Sequence, residues 1–137
     1  MPRTFNEVIA QNPNDDEVNR SAIRALQAWQ YLIPKAKNRQ LVRYGELADL
    51  MGYADCRPLS SILGHIMHYC EQERLPALTI IVVNDDGTPG EGFTQVPRGQ
   101  FDAHRETTFG FDWFSIYPPT PAEFTRSWDA AQRQTEN

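Results

Sequence analysis

Two short helical patterns joined by a brief turn are the feature of this sequence that most constrains its fold. Apolar spacing over Glu46–Met51 predicts a short helix, and Gly52 is well placed to end it in a left-handed turn. The pattern over Pro58–Gln72 predicts a longer helix with proline in its first turn. Its apolar stripe consists of Leu59, Ile62, Leu63, Ile66, Met67 and Cys70. Two helices joined in this way are the skeleton of a helix-turn-helix.

The segments around this pair predict an α/β, mostly helical domain that is winged-helix-like, with a short strand pair. Leu41–Tyr44 reads as an extended piece, and the continuous apolar run Leu78–Val83 is typical of a buried strand. Asp85–Gly87 is a tight-turn signal that could begin a wing. Flanking helices are predicted over 14–34 and 120–134, and all 137 residues are expected to form one domain.

The ends of these flanking helices are predicted from caps and prolines. Asn14 with Glu17 resembles a capping box, and Pro34 is expected to stop the first helix. Thr120 with Glu123 forms a second capping box, with proline between them in the first helical position. Alternating aromatic residues at 109, 111 and 113 suggest a strand or an extended segment against the core.

Charge is distributed unevenly along the chain. The net charge is -5, yet residues 20–61 contain seven basic and three acidic residues and so carry +4. A basic region in an acidic protein can still attract an anion, because the local field governs the encounter. The two cysteines are too few for a disulfide framework, and no apolar run is long enough to span a membrane. We therefore expect a cytoplasmic protein without a membrane segment.

Three segments resemble one known family. Tyr44–Ala48 reads Tyr-Gly-Glu-Leu-Ala and resembles the motif that opens the helix-turn-helix of alkylguanine–DNA alkyltransferases and alkyltransferase-like proteins. Ile62–Met67 resembles part of that family's recognition helix. Val82-Val83, Gly87 and Gly90–Phe93 resemble a later run of valines and glycines. The match covers roughly residues 41–93, and it implies a winged helix-turn-helix that binds DNA.

The family's acceptor motif, Pro-Cys-His-Arg, is absent. The alignment places Leu78–Ile81 there, with Thr79 at the position of the nucleophilic cysteine. The arginine that family members insert into the base stack falls at Ser61. Transfer chemistry needs an activated thiolate, so the resemblance implies a non-enzymatic protein.

The leading interpretation is a non-catalytic DNA-binding protein in which the helix Pro58–Gln72 enters a groove. A small polar face would approach DNA closely, histidines would reach phosphates or base edges, and nearby arginines would neutralise phosphates. The face is therefore expected to be at least partly exposed. The expected DNA-binding residues are Tyr44, Arg39, Arg43, Arg57, Ser61, Gly64, His65 and His68.

An alternative from a different class is an acidic protein-interaction module on the same scaffold, such as a regulator, a defence or anti-defence factor, or a DNA mimic. Enzymatic alternatives have less support. Cys70 belongs to the apolar stripe, and the residues around Cys56 do not resemble the family's acceptor motif. His68 and Cys70 lie ~200° apart on a helix, so they cannot close on one metal ion with His65. No metal or other cofactor is expected.

Overall fold

The computed structural model describes residues 1–11 and 19–135. These residues form an α/β, mostly helical fold, in which two-residue strands β1 (Val42–Arg43) and β2 (Val82–Val83) pair in parallel. The six helices of the described ranges are α1 (Phe5–Gln11), α2 (Arg20–Lys37), α3 (Tyr44–Leu50), α4 (Leu59–Gln72), α5 (Phe101–Gly110) and α6 (Pro121–Thr135). Among them, none has both the length and the apolar character needed to cross a membrane.

The core lies where α2, α4 and α6 pack together. Trp29 of α2 and Tyr69 of α4 both contact Phe124 of α6, with ring centroids 6.1 and 5.5 Å from it. Trp113 contacts Trp29 edge-on at 5.8 Å. Small residues at helical spacing let the neighbouring helices approach α2, namely Ala22, Ala25, Ala28 and Ala36, all fully buried. This packing fixes the position of α6 against α4.

Helix α2 begins and ends at places that the sequence did not indicate. The Asn19 side chain caps it by accepting a hydrogen bond from the Ala22 N–H at 2.7 Å. The predicted capping box at Asn14 and Glu17 lies outside the described residues. The prediction that Pro34 ends the helix is wrong, since α2 continues to Lys37. Proline removes one hydrogen bond, but buried Ile33 and Ala36 hold the last turn against the core.

The predicted strand Leu78–Val83 is a strand only at its last two residues. Leu78–Ile81 instead forms a buried 3-10 turn, because β1 offers only Val42 and Arg43 as partners before α3 begins. A continuous apolar run does not distinguish these conformations. The tight turn is confirmed: Gly87 has a φ of +85°, and the Asn84 N–H donates to the Thr88 carbonyl at 2.8 Å.

The aromatic alternation near the C-terminal end is not a strand. Phe109 belongs to α5, and Trp113 begins a 3-10 turn, Trp113–Ser115. Trp113 is buried there, and its indole N–H is satisfied by donating to the Thr108 carbonyl at 2.8 Å. The capping box of α6 is confirmed: the Glu123 N–H donates to Thr120 Oγ1 at 3.2 Å, and the Thr120 N–H donates to Glu123 Oε1 at 3.1 Å.

Candidate functional site

A pocket of about 490 Å³ opens between α3, α4, α6 and the loop that follows β2. This volume lies within the roughly 300–1,000 Å³ that is usual for ligand sites. Its apolar lining includes Leu63, Met67, Phe93 and Trp128. Its polar lining includes Ser60, His68, Thr79, Asn84 and Glu91. Aromatic side chains together with a few polar groups are the kind of lining that suits a planar heterocycle.

The three segments singled out in the sequence, Tyr44–Ala48, Ile62–Met67 and the run that ends at Gly90–Phe93, all contribute to this pocket. Tyr44 comes from the first segment, Gly64 and Met67 from the second, and Gly90–Phe93 from the third. Thr79 also lines it. The pocket is therefore the place where residues distant in sequence meet.

One wall depends on the contact between Tyr44 and Gly90. The Gly90 N–H donates to the Tyr44 hydroxyl at 3.1 Å, and a Cβ at Gly90 would lie only 2.3 Å from that oxygen. Glycine therefore permits the close approach. Burial raises the pKa of Tyr44, so its hydroxyl is protonated at neutral pH and retains a proton to donate.

The opposite wall depends on the contact between Gly64 and Trp128. A Cβ at Gly64 would lie 2.7 Å from the Trp128 ring. Trp128 stacks on His65 with ring centroids 4.4 Å apart and planes within 3° of parallel. The Trp128 ring also lies in an edge-to-face arrangement with the His68 ring, with the two ring centroids 5.9 Å apart. Helix α6 thus covers much of the polar face of α4.

The expectation that His65 is exposed is wrong, since its exposure is 1%. Its Nδ1 lies 2.7 Å from the Ser61 carbonyl, and its Nε2 lies 3.3 Å from the Asn19 amide nitrogen. The amphipathic pattern of α4 did not reveal that the aromatic side of α6 would stack on this face. Burial lowers the pKa of His65, so the imidazole is neutral at physiological pH.

The other residues of this face are placed closer to expectation. Ser61 and His68 are both partly exposed, as predicted. Ser61 Oγ donates to Ser21 Oγ at 2.9 Å, and His68 Nδ1 lies 3.2 Å from a Glu71 carboxylate oxygen. Leu63 and Ile66 are buried, which confirms the predicted apolar side of α4.

The predicted arginines are not all brought to the pocket. Arg39 forms an ion pair with Glu106 of α5 at 2.6 Å and lies outside the pocket lining. Arg43 and Arg57 are exposed, and each adjoins a pocket-lining residue in the chain, Tyr44 or Cys56. Arg57 also pairs with Asp55 at 2.7 Å.

The two thiols occupy contrasting environments. Cys56 is exposed at the rim of the pocket. Cys70 is fully buried, and burial raises its pKa to about 12, so it remains a protonated thiol at neutral pH. Within residues 1–11 and 19–135, no three His, Cys, Asp or Glu side chains are grouped so that they could hold a metal ion.

Sequence reasoning missed Trp128 and Asn84 as parts of the site. The small residues on α4 do indicate a close approach, but the sequence alone does not show whether DNA or another helix makes it. The structure places Trp128 at Gly64 instead. Asn84 follows β2 and reaches the pocket only because the parallel strand pair positions its turn beside α3.

Gly64→Ala tests the Trp128 wall. The added methyl group must displace the indole, so we expect a loss of about 1–3 kcal/mol in the free energy of unfolding. Gly45→Ala is the matched control, since Gly45 is also helical but its Cβ would meet nothing within 4 Å. That variant should gain about 0.5–1 kcal/mol from helix propensity. Urea denaturation measures both, and equal effects would contradict the tight contact.

Comparisons of the chain with protein-family models, curated proteins and solved structures gave no match.

Proposed function

We propose that this protein is a non-catalytic DNA-binding protein that holds an unstacked base in the pocket between α3, α4 and α6. The observation that carries the proposal is the convergence of the three alkyltransferase-like segments on a single pocket with aromatic walls. Aromatic side chains stack on any unpaired base, and a pocket of this kind is what a base turned out of a duplex requires. The contact differs from groove insertion by α4, since Trp128 covers that helix's polar face.

The chemistry of the lining supports binding without transfer. Thr79 Oγ1 has no hydrogen-bond partner within the described ranges, so no neighbouring base activates it. The buried Cys70 thiol is protonated and lies in the core. A base held here would therefore meet neither an activated Thr79 hydroxyl nor the Cys70 thiol.

Electrostatics supports modest, salt-sensitive affinity. Arg43 and Arg57 are exposed, each is adjacent in the chain to a pocket-lining residue, and together they would provide two positive charges for phosphates. Asp55 already engages Arg57, and Glu91 adds an acid at the lining. The acids reduce the net attraction, so the base contact should contribute a large share of the binding.

The double variant Arg43→Ala with Arg57→Ala tests the phosphate contacts. We expect weaker binding by a similar factor across DNA sequences, and a salt slope reduced by about one unit for each lost contact. Fluorescence anisotropy at several salt concentrations measures both quantities.

The control removes two equivalent charges elsewhere. Lys37→Ala with Arg98→Ala changes exposed residues outside the pocket lining and should leave the salt slope closer to that of the unmodified protein. A pocket-side double variant that folds and keeps its affinity and salt slope would exclude Arg43 and Arg57 from the interface.

A protein-interaction module is the second candidate, and exposed aromatic residues favour it. Phe114 and Tyr117 are 63% and 89% exposed, respectively, and neither lines the pocket. Large exposed aromatic side chains are enriched where proteins dock. If the protein shows no measurable DNA binding at low salt, the protein-interaction function would be favoured over the DNA-binding function.

A further inference from the structure

The segment between α5 and α6, which we call the aromatic loop (residues 111–120), holds two large aromatic side chains in solvent. Phe114 is 63% exposed and Tyr117 is 89% exposed, and neither lines the pocket. A buried residue lies on each side of them, Trp113 before and Pro119 after. The two exposed rings therefore extend from a loop that is attached to the core at both ends.

Hydrogen bonds fix the backbone that carries the two rings. The Ser115 N–H and hydroxyl both donate to the Asp112 carbonyl, at 3.2 and 2.7 Å. The Trp113 indole holds one end of the loop to the Thr108 carbonyl of α5, and the capping box of Thr120 holds the other end to α6. A loop that is ordered before binding loses less conformational entropy when it docks, and aromatic side chains are common anchors of protein interfaces.

The charges around the loop indicate which partner fits it. Residues 106–125 include three acidic residues and no basic residue. Glu106 is paired with Arg39. Asp112 and Glu123, one on each side of the exposed rings in the chain, form no ion pair within the part of the chain that the structure describes. These two carboxylates repel the phosphates of nucleic acids and of anionic lipids, and they attract lysine and arginine side chains.

We propose that the aromatic loop is the docking surface for a protein partner that offers an apolar surface bordered by lysine or arginine residues. Phe114 and Tyr117 are the anchors of the contact, and Asp112 and Glu123 set the preference for a basic border. The proposal gives the second candidate function, protein interaction, its surface and its partner. It does not depend on whether the pocket binds DNA.

The probe is a synthetic amphipathic helical peptide with leucine on one face and lysine on the other. A matched peptide carries glutamate in place of every lysine. Isothermal titration calorimetry should show that the lysine peptide binds at least about tenfold more tightly, because like charges oppose the glutamate peptide. NMR spectra recorded during the titration should show the largest shift changes within the aromatic loop.

Two double variants separate the anchors from the charges. Phe114→Ser with Tyr117→Ser should weaken binding of the lysine peptide by about tenfold or more, and both changes affect exposed side chains, so the fold should persist. Asp112→Asn with Glu123→Gln should weaken it about threefold to tenfold and reduce its salt dependence. Glutamine at position 123 can still complete the capping box.

Leu41→Ser with Leu50→Ser is the matched control for the anchors. These side chains are 39% and 50% exposed and lie outside the aromatic loop. Their replacement removes exposed apolar surface elsewhere and should leave the affinity for the lysine peptide unchanged.

Unchanged affinity in the Phe114→Ser with Tyr117→Ser protein, or equal affinity for the two peptides, would overturn the proposal. Self-association in sedimentation velocity that disappears in the same variant would make a second copy of this chain the occupant, and would overturn it as well. Shift changes in the aromatic loop on addition of duplex DNA would overturn the choice of a protein partner. Loss of DNA binding with intact peptide binding would remove the proposed DNA-binding function alone.

Discussion

Phe124→Ala should lower the free energy of unfolding by about 3–5 kcal/mol. Phe124 is fully buried and contacts the rings of Trp29 and Tyr69 at the junction of α2, α4 and α6. Its removal leaves a cavity that three packed helices cannot close easily. Urea denaturation followed by circular dichroism measures the change.

Phe114→Ala is the control for this prediction. Phe114 is 63% exposed, so its replacement should change stability by no more than about 0.5 kcal/mol. Similar losses in the two variants would show that α6 does not dock as described. The result also bears on the pocket, because α6 carries Trp128.

The second large effect is a loss of stability at mildly acidic pH, and it comes from His65. The oxygen of the Asn19 amide accepts from the Ala22 N–H, so the amide nitrogen is left to donate to His65 Nε2. Nε2 must therefore be unprotonated, while Nδ1–H donates to the Ser61 carbonyl. Protonation would place two donors against each other and leave a charge in a buried site.

The direction of the pH dependence follows from the pKa of His65. Burial lowers it, the Ser61 hydrogen bond raises it, nearby His68 lowers it, and Asp129 on α6 raises it. The net shift is downward. The unfolded chain therefore binds the proton first as pH falls below about 6.5. The contribution of neutral His65 to the free energy of unfolding is fully present above that pH. On acidification the free energy of unfolding falls by up to about 1.4 kcal/mol per pH unit, until the folded protein also binds the proton.

The free energy of unfolding, measured by urea denaturation at several pH values between about 5 and 7, tests this dependence. Most carboxylates titrate lower, near pH 4, and so contribute little in this interval. His65→Gln should flatten the slope in this interval, whatever it does to stability at neutral pH. His104→Gln should keep the slope, since His104 is partly exposed and its Nε2 lies 3.2 Å from the Gln100 side-chain oxygen rather than in the core. Equal slopes in the unmodified and His65→Gln proteins would contradict the neutral, buried state of His65.

Local signals in the sequence predicted local structure well. Gly52 ends α3 with a φ of +80°, and the Thr120–Glu123 capping box starts α6. Each depends on residues within one turn of the chain. Pro34 failed as a stop because buried neighbours hold the last turn, which is a tertiary effect.

The candidate site was predicted only in part, for the same reason. Tyr44 and Gly64 were singled out by the resemblance, and both line the pocket. The helical pattern assigned His65 to the surface because its partner, Trp128, lies more than 60 residues later in the chain. No local pattern indicates that a residue so distant in the chain will cover this face.

The central claim is that the pocket binds an unstacked base without modifying it. Fluorescence anisotropy should compare a fully paired duplex with the same duplex containing one unpaired adenine, at low and physiological salt, with intact-protein mass spectrometry of the mixture. We predict about tenfold tighter binding of the duplex with the unpaired base, as one base stacked on aromatic side chains provides, and an unchanged protein mass. Equal affinity for the two duplexes, or a covalent adduct, would contradict this account.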